Sequence, residues 1–274
     1  MHLRTIFRSV ASVTVLIAGA LGQTISISFR PVDAEYSTAL DRIVMVSASP
    51  NQLHIYNPAA KADVTVNLAA APNAVSVSPD GLFAAVGHLN LVSYVNLSTA
   101  SVVKTFTVSL NVNDLVLGPG YIYLPPTMSI QISNGSIVGA STARVARERF
   151  SASDQAVYYT DANSSYYVSR SSIATGVLTD PTSSSYSGFY CTGDVWLYLG
   201  AVFNSCGQGV LATRDFPYFA KLPGIRALIA MAPNDTNGLA VIPGNDVDYN
   251  FSPPVTPTIR FFYSKAGNRS HWAA

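Results

Sequence analysis

An aspartate-bearing hairpin that returns along the chain constrains its fold more than any other feature. The stretch VSVSPDGLFAAVG, Val75 to Gly87, reads as two β-prone runs joined by a Ser-Pro-Asp-Gly turn, with Pro fixing one φ and Gly supplying a positive one. Asp41 in STALDRIVMVS stands 39 residues before Asp80 of that turn, and Asp154 in FSASDQAVYYT stands 74 after it. A second landmark agrees: Leu97 in LSTASV and Ile173 in IATGV lie 76 residues apart, or two periods. Val75 and Val77 alternate with Ser76 and Ser78, as do Val64 and Val66 with Thr65 and Asn67, which is the pattern of strands. One copy between them, NDLVLGPGYIYLPPTMSIQISNGSIVG, lacks the aspartate and keeps the strand rhythm.

A period of roughly 40 residues carrying four short strands is that of a β-propeller blade. One four-stranded sheet cannot bury both faces alone. Sheets stacked around an axis bury each face against the next, and closure leaves only short, protected edges. The expected fold is therefore all-β, a propeller of four-stranded antiparallel blades at about residues 32–68, 72–109, 113–142, 145–182 and 187–221. A sixth blade has three visible strands, at 225–231, 238–243 and 258–264, and SKAGNRSHWAA after them carries no strand pattern. TISISF, Thr24–Phe29, alternates polar and apolar and belongs to no blade, so it is expected to pair with 258–264 and close residues 23–274 into one domain. Six blades are favoured, and a shortened seven-bladed form is the alternative.

The first 22 residues read as a signal peptide, with Arg4 and Arg8 before an apolar run from Val10 to Leu21 and small residues after it. The run falls short of the ~20 residues that span a bilayer; a buried helix or an uncleaved anchor is the alternative. No later segment is long and apolar enough to span. Hydrophobic residues make up 49% of the chain, ample for a core, whereas 11% are charged and the net charge is +1. Phosphate backbones are held by clustered cations, which this sequence lacks, so nucleic acid is not an expected partner.

The run from VDAEYSTALDRIVMVSASPNQLHIYNP through PNAVSVSPDGLFAAVGHLNLVSYVNLSTA resembles the bacterial exported YVTN-type (WD40-like) propeller repeat proteins. The likeness continues through CTGDVWLYLGAVFNSCGQGV, whose counterpart in such proteins also carries two cysteines, and covers roughly residues 32 to 213. It implies a propeller fold and export, to a secreted or periplasmic location, and little about activity. Cys191 and Cys206 flank a hairpin that turns near Leu199-Gly200. Folding back there would set them opposite each other at a separation a disulfide accepts; two buried thiols are the alternative.

Asp41, Asp80 and Asp154 repeat, yet equivalent turns stand on separate spokes, and Asp favours turns by bonding nearby backbone N–H groups. They are read as turn-formers. Besides His2 and His271 there are only His54, in a strand, and His88, in the loop after FAAVG; both are read as surface or satisfied loop histidines, with His88 facing Asp114 or Asp161 across a channel as the alternative. Glu35 and Glu148 are the only glutamates. Asp33 and Glu35 lie two apart, on one strand face, where they could bind a cation, act as an acid–base pair, or serve as blade-edge charges. Asn113, Asp114 and Asp194 lie near strand starts where ligands could converge. Tyrosines in VYYT, SSYYVSR and SSYSGFY suit either recognition of a sugar or protein or packing between blades. No acyl-transfer elbow, Walker loop or dinucleotide fingerprint is present. The expected function is a non-catalytic exported binding or scaffold module for a protein, glycan or cell-envelope partner, with no catalytic residue, metal or cofactor assigned. The alternative is a metal-dependent, lactonase-like hydrolase with its site in the axial channel.

Overall fold

Alternating sequences give strands whose two faces can both be buried, and among the described residues every helix or strand element is a strand. The computed structural model describes residues 27–124, 128–139, 145–151, 155–161, 168–172, 176, 179–183, 195–198, 201–204, 208–211, 218–221, 228–234, 238–243, 260–264 and 272–273. The first antiparallel sheet holds β1 (Pro31–Ser37), β2 (Arg42–Ala48), β3 (Asn51–Asn57) and β4 (Ala62–Asn67) in sequence order. The second holds β5 (Pro72–Val77), β6 (Phe83–Asn96) and β7 (Ser101–Asn111). The third holds β8 (Val116–Leu117), β9 (Tyr121–Leu124), β10 (Met128–Gln131) and β11 (Ile137–Val138). The fourth is built from β12 (Val145–Ser151), β13 (Ala156–Asp161), β14 (Val168–Ser172) and β15 (Thr179–Ser183). A fifth follows from β16 (Val195–Tyr198), β17 (Ala201–Asn204), β18 (Gln208–Leu211) and β19 (Tyr218–Lys221). The last comprises β20 (Leu228–Asn234), β21 (Gly238–Pro243), β22 (Arg260–Ser264) and β23 (Trp272–Ala273).

The second sheet follows the same four-strand rhythm although β6 runs through 14 residues. Its first half pairs with β5 and its second half with β7. His88 Nε2 lies 3.0 Å from Ser93 Oγ, whereas five residues of extended chain would separate them by about 16 Å. The chain therefore reverses between them, at Leu89-Asn90, where Asn90 has φ of 59°.

The core is a series of slabs between successive sheets, and period-two alternation assigns each residue to its slab. Ala84 and Val86 pack toward Val44, Val46 and Leu53 of the first sheet, while Ala85 packs toward Leu117 and Ile122 of the third. In VYYT, Val157 and Tyr159 meet Val116 and Tyr123 on one side, and Ala156 and Tyr158 meet Val195 and Val202 on the other. Each fully buried Val, Leu or aromatic side chain contributes roughly 1.5–3 kcal/mol. The Tyr158 and Tyr159 rings thus serve packing; the Tyr residues of SSYSGFY lie outside the described residues.

First strands touch first strands: β1 meets β5, β5 meets β8, β8 meets β12, β12 meets β16 and β16 meets β20. These strands line the axis.

Two expectations about the chain's end need comment. The stretch SKAGNRSHWAA does contain a strand, since Trp272–Ala273 pairs with Tyr263 and Ser264 and gives the last sheet its fourth member. Two residues are too few to leave an alternation in the sequence. With β21 on one side and β23 on the other, β22 carries no N-terminal strand among the described residues. Ile27–Phe29 are not in a strand, and Phe29 stacks on His54 of the first sheet, ring centroids 3.6 Å apart. Residues 24–26 and 258–259 lie outside the described residues.

Candidate functional site

Three groups of polar side chains stand out, and the first lies on the axis. Asp33 and Glu35 share the face of β1 turned toward the second sheet. An innermost strand has one edge without a partner strand, so its N–H groups on that edge need acceptors. Asp33 Oδ2 accepts from Val75 N–H at 2.9 Å and Glu35 Oε2 from Val77 N–H at 2.6 Å. Nearby, Arg149 of β12 pairs with Asp114, which precedes β8, Nη1 to Oδ1 at 3.5 Å. Part of the Glu35 surface is accessible, but protein surrounds the carboxyl and burial pushes it up to about 7. Arg149 acts in the opposite sense, and the charges of Asp33 and Asp114 add to the rise. The sequence placed Asp33, Glu35 and Asp114 as candidates and missed Arg149. Among the described residues no three His, Cys, Asp or Glu side chains are grouped to hold a metal ion. Asp194 lies outside the described residues, as do Cys191 and Cys206.

The second group is a Ser–His–Asp chain across the first sheet. His54 Nδ1 donates to Asp63 Oδ2 at 2.7 Å, and Nε2 lies 3.0 Å from Ser47 Oγ. This resembles a nucleophile, base and orienting acid in connectivity. Two facts remove that role. Ser47 is fully buried, and its hydroxyl donates to the Pro50 carbonyl at 2.7 Å. No substrate reaches Oγ, and its proton is already engaged. The chain instead ties β2, β3 and β4 together under the Phe29 ring.

His88 is the third group. It does not face Asp114 or Asp161: Nδ1–H donates to the Ala71 carbonyl at 3.2 Å, which leaves Nε2 to accept from Ser93 Oγ–H at 3.0 Å. Burial lowers its affinity for a proton, in keeping with this neutral tautomer. The first two sheets thus each bury a Ser–His pair across their central hairpin, with the two residues exchanged between strands. Sequence spacing could have suggested this, since both pairs join adjacent antiparallel runs.

The repeated aspartates are turn residues where described. Asp80 Oδ1 accepts from Leu82 N–H at 3.0 Å and from Ser78 Oγ. Asp41, at φ of 54°, closes the turn into β2 and accepts from the Tyr36 hydroxyl. Asp154 lies outside the described residues.

No family model and no curated protein matches this sequence. Among solved structures it is similar to the WD40 repeats of RRP9, with TM-score 0.64 and 11% identity over 90% of this chain and 80% of that one. U3-55K gives TM-score 0.62 and 12% identity over 90% and 81%. The dihydro-heme d1 dehydrogenase NirN in complex with DHE gives 0.57 and 12%, with 88% of this chain spanning 55% of that one. At such identity the likeness carries the fold alone. The chain is a WD40-like β-propeller, and its sheets are blades.

Proposed function

We propose that this propeller is a non-catalytic binding or scaffold module for a protein, glycan or cell-envelope partner, exported by the segment 1–22 to a secreted or periplasmic location as a YVTN-type repeat protein. One observation carries the reading: the axial carboxylates serve the architecture. Asp33 and Glu35 hold backbone N–H groups of the next blade and Asp114 pairs with Arg149, while Ser47 and His54 are buried and Phe29 stacks on the His54 ring. Propellers place variable loops around a rigid ring, which suits recognition. Among the described residues no helix is long and apolar enough to cross a membrane. In the exported chain Cys191 and Cys206 form a disulfide across the β16–β17 hairpin, worth about 3 kcal/mol at most for so short a loop. Iodoacetamide labelling of the unreduced, denatured protein checks it: two labelled cysteines mean no bridge.

The competing reading is a lactonase-like hydrolase using an axial metal; the charges of Asp33 and Asp114 acting on Glu35 motivate it, although among the described residues no three such side chains are grouped to hold an ion. One paired assay separates them. The purified chain is offered a panel of lactones with Ca²⁺, Mg²⁺, Mn²⁺ or Zn²⁺, and immobilised chain is offered purified envelope fractions and a glycan array. Saturable binding that survives chelation, with no turnover, is the expected outcome. Metal-dependent hydrolysis that disappears in Asp33→Asn would overturn the proposal.

A further inference from the structure

We propose that the seam between the first two blades carries a pocket for the C-terminal residue of a polypeptide, with an aliphatic side chain seated on the core and its free carboxylate on Arg42. The proposal rests on the reading of the chain as a binding module, and gives that module a partner of stated chemistry.

The pocket is a cavity of about 300 Å³ between strands β2, β3 and β4 of the first blade and the turn that joins β6 to β7 in the second. Its floor is apolar. Ile55 and Leu97 belong to the slab of core the two blades share, and Leu40 and Ala100 pack against that slab. Its mouth is open, since Val64 on the β4 side is 51% exposed and Ser98 opposite is exposed as well. The volume lies at the low end of the roughly 300–1,000 Å³ of small-ligand sites. One large side chain and a carboxylate fill it.

The polar rim decides what end of a ligand fits. Arg42 Nη1 donates to the carbonyls of Leu40 at 2.9 Å and Asp41 at 2.7 Å, which fixes the guanidinium plane. Among the described residues its Nε and Nη2 have no hydrogen-bond partner, and no carboxylate pairs with it. Asn57 Oδ1 accepts from the Ala59 and Ala60 amides at 3.0 and 3.1 Å, so its remaining group, Nδ2, is a donor. A rim of donors over an apolar floor selects an end that only accepts, and a guanidinium fork suits the two oxygens of a carboxylate. The nearby acids are engaged elsewhere: Asp41 accepts from the Tyr36 hydroxyl and Asp63 from His54 Nδ1.

A chain leading away from such an end also has somewhere to lie. Strand β4 is the outer strand of its blade and pairs with β3 alone among the described residues. Its free edge offers alternate N–H and C=O groups to an extended segment leaving the mouth. A free acid would leave that edge unused, which is what favours a chain end.

Calorimetric titration of the full chain with acetyl-Ser-Thr-Val-Leu, carrying a free carboxylate, tests this. Saturable binding with Kd below about 1 mM is expected. The C-terminal amide of the same peptide should bind about tenfold or more weakly, and Arg42→Met should weaken the free acid to a similar extent, because each removes the charge-assisted pair. Since Arg42 also holds a turn, two variants at the exposed Val64 separate binding from folding. Val64→Glu sets a like charge at the mouth and should bind roughly threefold or more weakly than Val64→Lys, which loses the same apolar contact. Circular dichroism establishes that each variant is folded. Absence of saturable binding up to about 1 mM overturns the pocket, as do equal affinities for acid and amide, or for Val64→Glu and Val64→Lys. Isocaproate binding as tightly as the peptide would make it a site for free acids and overturn the chain-end proposal. None of these outcomes touches the module reading, which is decided separately by whether the immobilised chain retains an envelope or glycan partner.

Discussion

The seam between the first and second blades and the seam between the second and third solve one problem with different chemistry. In each, the innermost strand of the following blade has N–H groups with no partner strand. At the first seam Asp33 and Glu35 take Val75 and Val77. At the second, Ser76 Oγ takes Leu117 N–H at 3.1 Å. Acceptor and donor are separated by 42, 42 and 41 residues, so at both seams the first strand of one blade serves the next blade one repeat on. The carboxyl bonds are shorter, at 2.9 and 2.6 Å against 3.1 Å, but they bring titratable groups into a desolvated axis. A hydroxyl does not titrate. One seam is consequently sensitive to pH and the other is indifferent to it.

The strongest test of that pairing concerns one glycine packed at each seam. Gly81 has φ of +73°, and a Cβ there would stand 2.8 Å from Ala39 Cβ and 3.1 Å from Ala39 N. Ser37 Oγ also holds its carbonyl, at 2.6 Å. Gly81→Ala combines left-handed strain of ~1–2 kcal/mol with overpacking of ~1–3 kcal/mol, so a loss of about 3–4 kcal/mol is expected by urea denaturation. At the second seam Gly87 lacks the positive φ, and its added Cβ would meet the Val112 side chain at 2.5 Å. Gly87→Ala should cost about 1–3 kcal/mol. The reverse order would mean that side-chain crowding outweighs backbone strain here.

Next in size is the pH dependence of the first seam. Glu35 has its carboxyl raised from 4.5 to about 7 by burial in the folded chain. Between those values the folded chain holds a proton that the unfolded chain has released. Its contribution is fully present below pH 4.5 and is lost as pH rises through about 7, by an amount on the order of 3 kcal/mol before solvent screening. Glu35→Gln should remove this slope, and the difference in urea midpoint between variant and parent, followed from pH 4 to pH 8.5, isolates it from every other carboxylate. Parallel curves would break the comparison at its centre.

What could be read from the sequence follows from range. Alternation at Val64, Val66, Val75 and Val77 is local, so blade positions emerged directly, with the first sheet at Pro31–Asn67 against an expected 32–68. Asp80 was legible as a turn residue because the groups that donate to it, Ser78 Oγ–H and Leu82 N–H, sit within two residues of it. The axial cluster was only half legible. Asp33 and Glu35 were seen to share a face, but whose amides they hold depends on how one sheet is set against the next, which no single repeat encodes. Arg149, in VARERFS, lies in a strand read only for its rhythm, and its partner Asp114 belongs to another blade. His54 escaped for a related reason: Ser47 and Asp63 flank it on neighbouring strands, and only the hairpin register of Met45 with His54 and of His54 with Thr65 brings them together.

The smallest effect belongs to the quiet seam, and it asks whether chemistry or position makes the first seam sensitive. Ser76→Ala leaves the buried Leu117 N–H without its acceptor, a loss of roughly 1–2 kcal/mol, and that loss should be the same at pH 5 and pH 8.5 because no proton is involved. Ser76→Asp then moves carboxylate chemistry to the second seam. Ser76 is 4% exposed and packs near Leu117, with the third blade's core behind it. A carboxyl there meets the burial that acts on Glu35, and among the described residues no arginine is shown in contact with Ser76. Its stability should therefore fall as pH rises, in the same sense as the first seam. If Ser76→Asp instead gives a pH-independent change, position on the axis, with the particular surroundings of Glu35, decides the sensitivity, and the hydroxyl at the second seam is a choice of size rather than of charge.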